Sequence, residues 1–600
     1  MDETQAPELR ALLQRTQVFG HLKAQELDAL IGEMAWFWLP GGGTLYLRGE
    51  ASTSLYLLKS GSVGVFGTPL LGGDERLLGV VPAGTVIGEV SLISGEARRH
   101  SVRALRDSEL LQLSSESFER LTARHPQAML GAARVAVRRL LRGSAGFATH
   151  PPRTFAILRT AAGVDARDFA SQLQRHLQVW GACMLIDAQA GCTRDTEWFA
   201  AREAESRFVL YVDDGDAPWR RLCRRQADAL LMLANAGSDA AAWPGLAADG
   251  APASDGLPDA EIELAHLRPR HLVLRHPTGQ LSRGAAHAWR SRLGDGDLQH
   301  HHWRHHADIG RIARRLSGHS TALVLSGGGA RGFAQIGVVQ ALRETGIEVD
   351  SVVGTSIGAI IGAGIALEWN DGELRATCRR TMVDGKPLRD WTVPLVALTR
   401  GARTTELLRE AFGEIDIEDM PMRFACVSAD LTTGTTAVHR EGLLWRWLRA
   451  SSAVPGILPP LFHGGHVYVD GAVINNLPTD VLAEEIYGRV IAVDIGADDT
   501  LNAGVDEAAS PSLPVLWAER RRHDWRPGAF AILVRAGMVN SETGSAMRRE
   551  LADLVLRPDM RQIGMFDWHK FDRAIEIGYR CTRAALRREV HARPDDATMR

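Results

Sequence analysis

A serine between two glycines is the first group in this 600-residue sequence whose surroundings suit covalent chemistry. A short apolar run at 351–353 predicts a strand, and residues 354–358 read Gly-Thr-Ser-Ile-Gly before a stretch of small residues that predicts a helix. A Gly-x-Ser-x-Gly sequence between a strand and a helix permits a tight turn that exposes the serine hydroxyl. Ser356 is therefore the candidate nucleophile, and Gly354 and Gly358 are the candidate turn residues.

A carboxylate that could act as a base follows another predicted strand. Asp470 ends a short apolar run and is followed by Gly471 and Ala472. A carboxylate displayed at a strand end beside glycine can reach a hydroxyl from a neighbouring turn and accept its proton. Two histidines, His463 and His466, precede the same strand and leave a Ser-His-Asp triad open as the alternative.

A glycine-rich turn is the third element that could take part in catalysis. Residues 327–332 read GGGARG and lie between an apolar run and a predicted helix. Backbone N–H groups of such a turn can stabilise a developing oxyanion. The same letters fit the G-x-G-x-x-G pattern of dinucleotide-binding proteins, with Asp350 roughly 20 residues further on. A dinucleotide-binding enzyme is therefore a rival interpretation.

These three elements, in this order, resemble the patatin-like phospholipase family over about residues 321–495. Two blocks around the aspartate, 450–460 and 475–478, strengthen the resemblance. It implies a carboxylic ester hydrolase that acts on lysophospholipid or phospholipid acyl esters without a catalytic cofactor. It implies a Ser–Asp dyad, with Ser356 as nucleophile and Asp470 as general base. The residues that it implies for the oxyanion hole are Gly327, Gly328, Gly329 and Arg331.

A second group of residues points to a regulatory ligand. Residues 88–93 read GEVSLI, and residues 97–102 read ARRHSV. A cyclic phosphodiester with a ribose hydroxyl requires backbone N–H donors, an arginine and a carboxylate close together. The segment resembles the phosphate-binding cassette of cyclic nucleotide-binding domains, which implies cAMP or cGMP as a regulator. The residues that this resemblance implies for the site are Gly88, Glu89 (to the ribose hydroxyl), Arg98 (to the phosphate) and Ser101 (near the purine).

Three residues depart from the cassette of that family. Ala97 stands where proline is usual, and Arg99 and His100 stand where small residues are usual. A β-roll that has lost its ligand is therefore an open alternative. At the level of the whole chain, a catalytically inert nucleotide sensor remains an alternative to the esterase.

The length and the changes of pattern predict a multidomain chain. We expect an N-terminal β-roll of the cyclic nucleotide-binding type with a helical tail over 18–142, and an α/β connector domain over 151–318. An α/β patatin-like domain is expected over 321–495, and a C-terminal extension, 496–600, is expected to pack on it. This domain order resembles the neuropathy target esterase group of lysophospholipases. Within the connector, residues 300–306 (HHHWRHH) are interpreted as a solvated linker rather than a metal site.

Composition excludes several classes of function. Lys and Arg total 69 against 72 Asp and Glu, a formal charge of −3, which gives no support for a nucleic-acid partner. The six cysteines include no C-x-x-C pair, which argues against a zinc ribbon and favours a reducing compartment. The chain starts without a signal peptide pattern, and its most apolar stretch, 352–367, is too short to span a bilayer. We therefore expect a cytoplasmic protein without a metal site.

Peripheral contact with the inner membrane surface is an additional hypothesis. Residues 443–449 read LLWRWLR and mix aromatic with basic side chains, as helices at membrane interfaces do. A helix packed within the catalytic core explains the same pattern, and we favour that interpretation. The acyl length, the head group and the oligomeric state are not specified by the sequence.

Overall fold

In the computed structural model, the residues described are 6–67, 76–142, 151–160, 163–194, 196–240, 268–293, 298–483, 488–496 and 544–592, with isolated positions 511, 512, 515, 532, 535, 536 and 541. The chain divides into two compact units, Met1–Gly318 and His319–Arg600. Each unit contains its own hydrophobic core.

The first unit begins with a β-roll made of two four-stranded antiparallel sheets. The strands are β1 (Ala35–Leu39), β2 (Thr44–Tyr46), β3 (Ser54–Ser60), β4 (Ser62–Gly67), β5 (Arg76–Pro82), β6 (Val86–Ile87), β7 (Ser101–Ala104) and β8 (Ser108–Ser114). Their orders are β1-β8-β3-β6 and β2-β7-β4-β5. The helices are α1 (Ala6–Arg15), α2 (Ala24–Glu33), α3 (Glu89–Ser94), α4 (Ser115–Arg124) and α5 (Pro126–Arg142). The predicted helical tail is thus two helices, because Pro126 starts a new one.

The connector is a six-stranded parallel sheet flanked by helices. Its strands are β9 (Thr154–Arg159), β10 (Cys183–Ile186), β11 (Phe208–Val212), β12 (Ala229–Asn235), β13 (Arg270–Arg275) and β14 (Leu298–Trp303), in the order β10-β11-β9-β12-β13-β14. Its helices are α6 (Ala166–Leu177), α7 (Ala188–Gly191), α8 (Thr196–Glu205), α9 (Ala217–Gln226), α10 (Ala285–Leu293) and α11 (His306–Ser317). Separate apolar clusters cover the two faces of this sheet, which explains why its strands read as continuous apolar runs.

The histidine run is part of that sheet, so its interpretation as a solvated linker is wrong. His300, His301 and His302 lie on the edge strand β14, in register with β13. The ring nitrogens of His301 and His271 are 3.0 Å apart, and those of His302 and His276 are 2.9 Å apart. Burial is the main cause that lowers the pKa of His276 to about 4. Among the described residues no group of three or more potential ligands could hold a metal ion.

A buried ionic cluster joins the β-roll to the connector inside the first unit. Arg106, in the turn between β7 and β8, is paired with Glu203 (2.6 Å) and with Asp228 (3.0 Å). The Ser62 hydroxyl donates to the same Asp228 carboxylate at 2.6 Å. Burial raises the pKa of Asp228, but Arg106 and these hydrogen bonds outweigh burial, so its pKa lies below the usual value. The two folds are therefore held together by charges that water does not screen.

The second unit is built on an eight-stranded mixed sheet. Its strands are β15 (Ser320–Leu325), β16 (Ser351–Thr355), β17 (Arg423–Asp430), β18 (Thr435–His439), β19 (Leu461–His463), β20 (His466–Asp470), β21 (Gly488–Val493) and β22 (Leu554–Leu556). The order is β19-β20-β17-β16-β15-β21-β22, and β18 pairs with β17. The helices are α12 (Ala334–Glu344), α13 (Ile357–Ala366), α14 (Asp371–Cys378), α15 (Ala402–Phe412), α16 (Leu444–Ser451), α17 (Asp480–Ala483) and α18 (Phe571–Ala592).

The C-terminal extension packs closely on the predicted catalytic domain. Strand β22 extends the sheet beyond β21, and α18 crosses α12 where both helices carry a glycine. A Cβ atom on Gly337 would lie 1.9 Å from the Ile575 carbonyl oxygen, and one on Gly578 would lie 1.9 Å from that of Ala334. Only glycine permits this separation of the helices. Residues beyond 495 therefore contribute to the core of this unit.

The aromatic and basic segment 443–449 lies almost entirely in helix α16. Leu444, Leu448 and Arg449 are buried in it, so it is a packed core helix. No helix among the described residues combines the length and the apolar character needed to cross a bilayer. The apolar run at 529–534, whose pattern predicts a strand, and the Ala-, Gly-, Asp- and Pro-rich segment 234–258, which predicts a loop, lie largely outside the described residues. The cytoplasmic location expected from the sequence stays a prediction.

The ionic cluster makes a prediction about stability. Substituting Arg106→Ala removes the cation and leaves Glu203 and Asp228 buried without it, which should lower the free energy of unfolding by about 3–5 kcal/mol. Urea unfolding of the full chain measures the change. Arg120→Ala is the matched control, because Arg120 pairs with Glu33 at an exposed position and its loss should change the midpoint little. Equal effects of the two variants would contradict a stabilising role of the cluster.

Candidate active site

Ser356 occupies a strained turn between strand β16 and helix α13. Its φ of 55° lies in the left-handed region, which a residue with a side chain rarely adopts. Gly354 and Gly358 permit the turn, since a Cβ on Gly354 would lie 2.5 Å from the Gly358 carbonyl and a Cβ on Gly358 would lie 2.4 Å from that of Leu325. The turn places the serine hydroxyl at the N-terminus of α13, as a nucleophile elbow does.

Strand β17 sets the distance between Ser356 and Asp470. Thr355 of β16 pairs with Val427, and Asp470 of β20 pairs with the next residue, Ser428, on the other edge of β17. The Ser356 Oγ donates to the Asp470 Oδ2 at 2.6 Å. A Cβ on Gly471 would lie 2.5 Å from the Val427 carbonyl oxygen, so glycine is required after the aspartate. The sequence predicted these two residues, and the structure brings them into direct contact.

The Asp470 carboxylate is buried, and its environment suits a base. Burial raises the pKa of Asp470 to about 6, although the hydrogen bonds from Ser356 and from the Ala472 N–H act in the opposite direction. A general base is most effective when its pKa lies near the working pH. The second carboxylate oxygen accepts the Ala472 N–H at 2.9 Å, which fixes the orientation of the group.

Ser451 supports the elbow from the end of helix α16, a role that the sequence analysis did not identify. Its Oγ accepts the backbone N–H of Ser356 at 2.9 Å and donates to the Val427 carbonyl at 2.6 Å. The Asp470 N–H donates to the Ala453 carbonyl two residues further on. The block at 450–460 therefore positions both the nucleophile and the base through short polar contacts.

The glycine-rich turn lies beside the serine. Gly328 and Gly329 line the cleft that contains Ser356, and within the described part of the chain no acceptor is bonded to their N–H groups. The Gly327 N–H is already used, because it donates to the Asn476 Oδ1 at 3.0 Å. The Arg331 Nε donates to the Ile563 carbonyl at 2.8 Å, and Arg331 is not among the described residues that line the cleft. The oxyanion-hole assignment stays a prediction, and Gly328 and Gly329 are its best-placed donors.

The cleft above the dyad is largely apolar. Sites for small organic ligands are typically lined in this way, with a few polar groups at fixed positions. Three lining segments were not connected with the site by the sequence analysis. They are residues 382–388, Thr404 and residues 565–568 of the C-terminal extension. The apolar lining residues are Ile357, Ile360, Met382, Pro387, Leu388, Val454, Ile457, Leu458, Met565, Phe566 and Trp568. Such a lining suits a hydrocarbon chain next to a nucleophile.

Neither rival interpretation of this region fits the geometry. The hydrogen-bond partner of the Ser356 hydroxyl is Asp470, whereas His466 pairs with Asp430 at 2.7 Å. The Ser-His-Asp arrangement is therefore not formed. Asp350 precedes β16 and accepts the Thr321 N–H at the N-terminal ends of the parallel strands β15 and β16. Residues 327–329 follow the C-terminal end of β15, so Asp350 cannot meet a ribose bound at the glycines. The dinucleotide-binding interpretation fails for this reason.

Comparison with known proteins agrees with these observations. The patatin-like phospholipase model matches residues 323–483, the cyclic nucleotide-binding domain model matches 36–125, and the neuropathy target esterase family P-loop like domain model matches 152–245. An uncharacterised NTE family protein of Mycobacterium tuberculosis is 29% identical over 98% of this chain and 97% of its own length. The chain belongs to the patatin-like phospholipase family, in its neuropathy target esterase-like group. The multidomain fold class predicted from the sequence is thereby confirmed.

Members of the same group in other organisms are longer. The human patatin-like phospholipase domain-containing protein 6 is 30% identical over 94% of this chain but only 46% of its own length. The mouse patatin-like phospholipase domain-containing protein 7 is 30% identical over 91% of this chain and 44% of its own length. Among solved structures, the catabolite activator protein of Thermus thermophilus is 28% identical over 27% of this chain and 68% of its own, with a TM-score of 0.21.

The cassette of the cyclic nucleotide-binding domain is ordered around Arg98. The buried guanidinium donates to the carbonyls of Gly88 (3.0 Å) and Ser54 (2.6 Å) and lies 4.2 Å from the ring centre of Tyr46. Its Nε is buried and has no hydrogen-bond partner among the described residues. Glu89 is fully buried at the start of α3. The cation and the orphaned donor fit an anionic phosphate, so the residues present are compatible with the implied ligand.

The burial of Asp470 predicts the pH dependence of this patatin-like site. Asp470 accepts a proton only when ionised, so kcat/KM should be constant above about pH 6 and fall about tenfold per pH unit below it. A pH series with a soluble short-chain ester measures this limb. His466→Gln should leave the limb unchanged, because His466 contacts Asp430 instead. A limb near the ordinary carboxyl value of about 4, or one that moves with His466→Gln, would exclude Asp470 as the base.

Proposed function

We propose that this protein is a serine esterase that hydrolyses lysophospholipid or phospholipid acyl esters through a Ser356–Asp470 dyad. The observation that carries the proposal is the 2.6 Å hydrogen bond between the Ser356 hydroxyl and the buried Asp470 carboxylate, at the base of an apolar cleft. The membership of the chain in the patatin-like phospholipase family supports a lipid ester hydrolase in general. The dyad and the single-chain lipid substrate are the specific parts of the proposal.

The first half of the reaction forms an acyl-enzyme. The Ser356 Oγ attacks the ester carbonyl carbon while its proton passes to the Asp470 Oδ2, the atom to which the Ser356 hydroxyl already donates a hydrogen bond. The negative charge on the carbonyl oxygen is met by the N–H groups of Gly328 and Gly329. When the C–O bond breaks, Asp470 returns the proton to the departing alcohol of the lipid.

The second half reverses these roles with water. Asp470 takes a proton from a water molecule, whose oxygen attacks the acyl carbonyl carbon. The bond to the Ser356 Oγ then breaks, and Asp470 returns the proton to that oxygen. A free fatty acid leaves and the dyad is restored, so the cycle requires neither a metal ion nor an organic cofactor.

The cleft supports a lipid acyl chain as the group that is transferred. Transfer of apolar surface from water into a lining of aliphatic and aromatic side chains is favourable. Ser452 and Thr404 also line the cleft, but their hydroxyls donate to the carbonyls of Leu448 and Pro387. The N–H groups of the glycine-rich turn therefore hold the ester, and an apolar cleft suits a substrate with one acyl chain.

We also propose that cAMP or cGMP binds the β-roll and changes the esterase activity. Support comes from the family match over 36–125 and from the buried Arg98 with its orphaned Nε. Strand β7 begins at Ser101, three residues after Arg98, and ends two residues before Arg106 of the buried ionic cluster. A ligand that moves the cassette would therefore act on the contact between roll and connector. Regulation requires that the ligand favour one arrangement over another.

The alternative function is a nucleotide sensor whose esterase site is inert. A fluorophosphonate probe separates the two functions, because it labels only an activated serine. Labelling of the wild type but not of Ser356→Ala supports the esterase, whereas absence of labelling in both supports the inert sensor.

Loss of either dyad member should abolish hydrolysis. We expect Ser356→Ala and Asp470→Asn each to lower kcat/KM by about a thousandfold or more, and the double variant to be no worse, because the two residues act as a unit. Lysophospholipid hydrolysis measures the effect, and thermal unfolding verifies that the variants fold. Wild-type turnover in Asp470→Asn together with loss of activity in His466→Ala would overturn the dyad.

Arg98 should determine the affinity for cyclic nucleotide. A charge-assisted contact between arginine and phosphate contributes about 1.5–3 kcal/mol, so Arg98→Ala should weaken binding about 10- to 100-fold in calorimetry. Arg99→Ala is the matched control, because that side chain is exposed beside Glu96. Absence of heat with both nucleotides in the wild type would reject the ligand. Binding without any change in esterase kinetics would reject regulation and keep the pocket.

A further inference from the structure

A loop of six consecutive exposed residues, 391–396 (WTVPLV), leaves the second unit near the catalytic cleft. We call it the apolar loop. Trp391 is 66% exposed, Val393 72%, Leu395 90% and Val396 63%, and Leu395 is the most exposed large apolar side chain among the described residues. Exposed apolar side chains are common singly, but a contiguous run indicates a surface that binds something.

The apolar loop is held in a defined conformation rather than left as a free segment. Trp391 pairs with Thr399 in an isolated antiparallel bridge, and the Thr392 N–H donates to the Leu398 carbonyl at 3.0 Å. Ala397 and Thr399, which follow the exposed run, are buried. Its exposure is thus maintained by backbone pairing at its base, and Pro394 restricts the backbone within it.

Both ends of the apolar loop connect to the wall of the catalytic cleft. Pro387 and Leu388, just before it, line the cleft. After it, the Leu398 N–H donates to the Gly456 carbonyl and the Thr399 N–H donates to that of Ile457, which also lines the cleft. A surface that binds the loop would therefore lie close to the entrance used by an acyl chain.

Cations flank the apolar loop on both sides. Lys386 and Arg389 precede it and Arg400 follows it; all three are exposed, and none forms an ion pair within the described residues. The carboxylate of the intervening Asp390 is engaged, because it accepts the Arg403 N–H at the start of α15. An apolar segment with a tryptophan and a rim of unpaired cations matches a bilayer that carries negative headgroups.

We propose that residues 391–396 insert into the interfacial layer of an anionic phospholipid bilayer, with Lys386, Arg389 and Arg400 at the level of the headgroups. A second copy of the chain would bring the same three cations against this rim, whereas negative headgroups neutralise them. The reason for binding rests on the proposed function, because a lipid esterase must take its substrate from such a surface. The binding itself is measurable without catalysis.

Flotation of the full-length protein with lipid vesicles tests the proposal. The Ser356→Ala protein should float with vesicles of phosphatidylcholine and phosphatidylglycerol, less with phosphatidylcholine alone, and less again at high salt. Val393→Asp combined with Leu395→Asp should lower the vesicle-bound fraction at least about tenfold. Val393→Ser combined with Leu395→Ser removes the apolar surface without adding charge and should act in the same direction.

Val179→Asp is the matched control, because Val179 is 77% exposed on the first unit and has the same chemistry. Its vesicle-bound fraction should equal that of the Ser356→Ala protein without loop substitutions. In the chain with an intact Ser356, the double variants should keep hydrolysis of a soluble short-chain ester and lose hydrolysis of vesicle lipid, so a loss through misfolding is recognised. Thermal unfolding of each variant gives a second control on folding.

Three results of the flotation assay would overturn the proposal. These are unchanged flotation of both double variants, absence of flotation of the Ser356→Ala protein without loop substitutions, and an equal loss of flotation in Val179→Asp. Dimers in light scattering that the double variants convert to monomers would assign the loop to contact between copies instead. Because flotation uses the Ser356→Ala protein, failure of the esterase assay leaves the membrane result standing, and the reverse holds as well.

Discussion

The hydrogen bond between Ser356 and Asp470 is the interaction on which the catalytic unit depends, and strand β17 fixes it. Ser356 follows Thr355, which pairs with Val427 on one edge of β17, and Asp470 pairs with the next residue, Ser428, on the other edge. A shift of one register position would turn one side chain to the other face of the sheet. The glycines around both residues are spatial requirements of this convergence, because any Cβ there would collide with backbone.

The same convergence explains the electrostatics of the site. A carboxylate inside the sheet loses water, which raises its pKa, and the serine hydroxyl replaces part of that water. The buried carboxylate is therefore a stronger base than an exposed aspartate. His439, which contacts Ser428 and Tyr468 near the site, illustrates the opposite direction of shift, since burial lowers its pKa to about 4.

The C-terminal extension is part of this machinery rather than an appendage. Arg331 holds the Ile563 carbonyl, and the Ala330 N–H donates to the Met565 carbonyl, so the glycine-rich turn and the segment that lines the cleft are tied together. Gly329 could not carry a side chain there, because its Cβ would lie 2.4 Å from the Met565 oxygen. A substitution in residues 563–568 can therefore disturb the glycine-rich turn that lines the cleft beside Ser356.

The connector matches a P-loop like domain, yet the sequence has no G-x-x-x-x-G-K-[ST] segment, which is the motif that binds phosphate in P-loop proteins. At the N-terminus of α6, after the first strand of the sheet, the Asp165 carboxylate caps the helix where a P-loop protein would hold phosphate. The connector instead offers the buried acids that hold Arg106, which is a structural use of the same architecture.

The amino-acid sequence alone predicted that Ser356 and Asp470 belong to one site, because a strained elbow and a carboxylate beside a close strand require glycines next to them. It also determined the β-roll and the alternating α/β pattern, since these depend on local periodicity. The contacts of Ser451, the part of the cleft formed by residues 565–568 and the place of the histidine run on β14 became visible in the folded chain. Those features depend on contacts between distant segments, whose partners leave no local signal. The exposure of the apolar loop was likewise invisible, because buried and exposed apolar runs have the same letters.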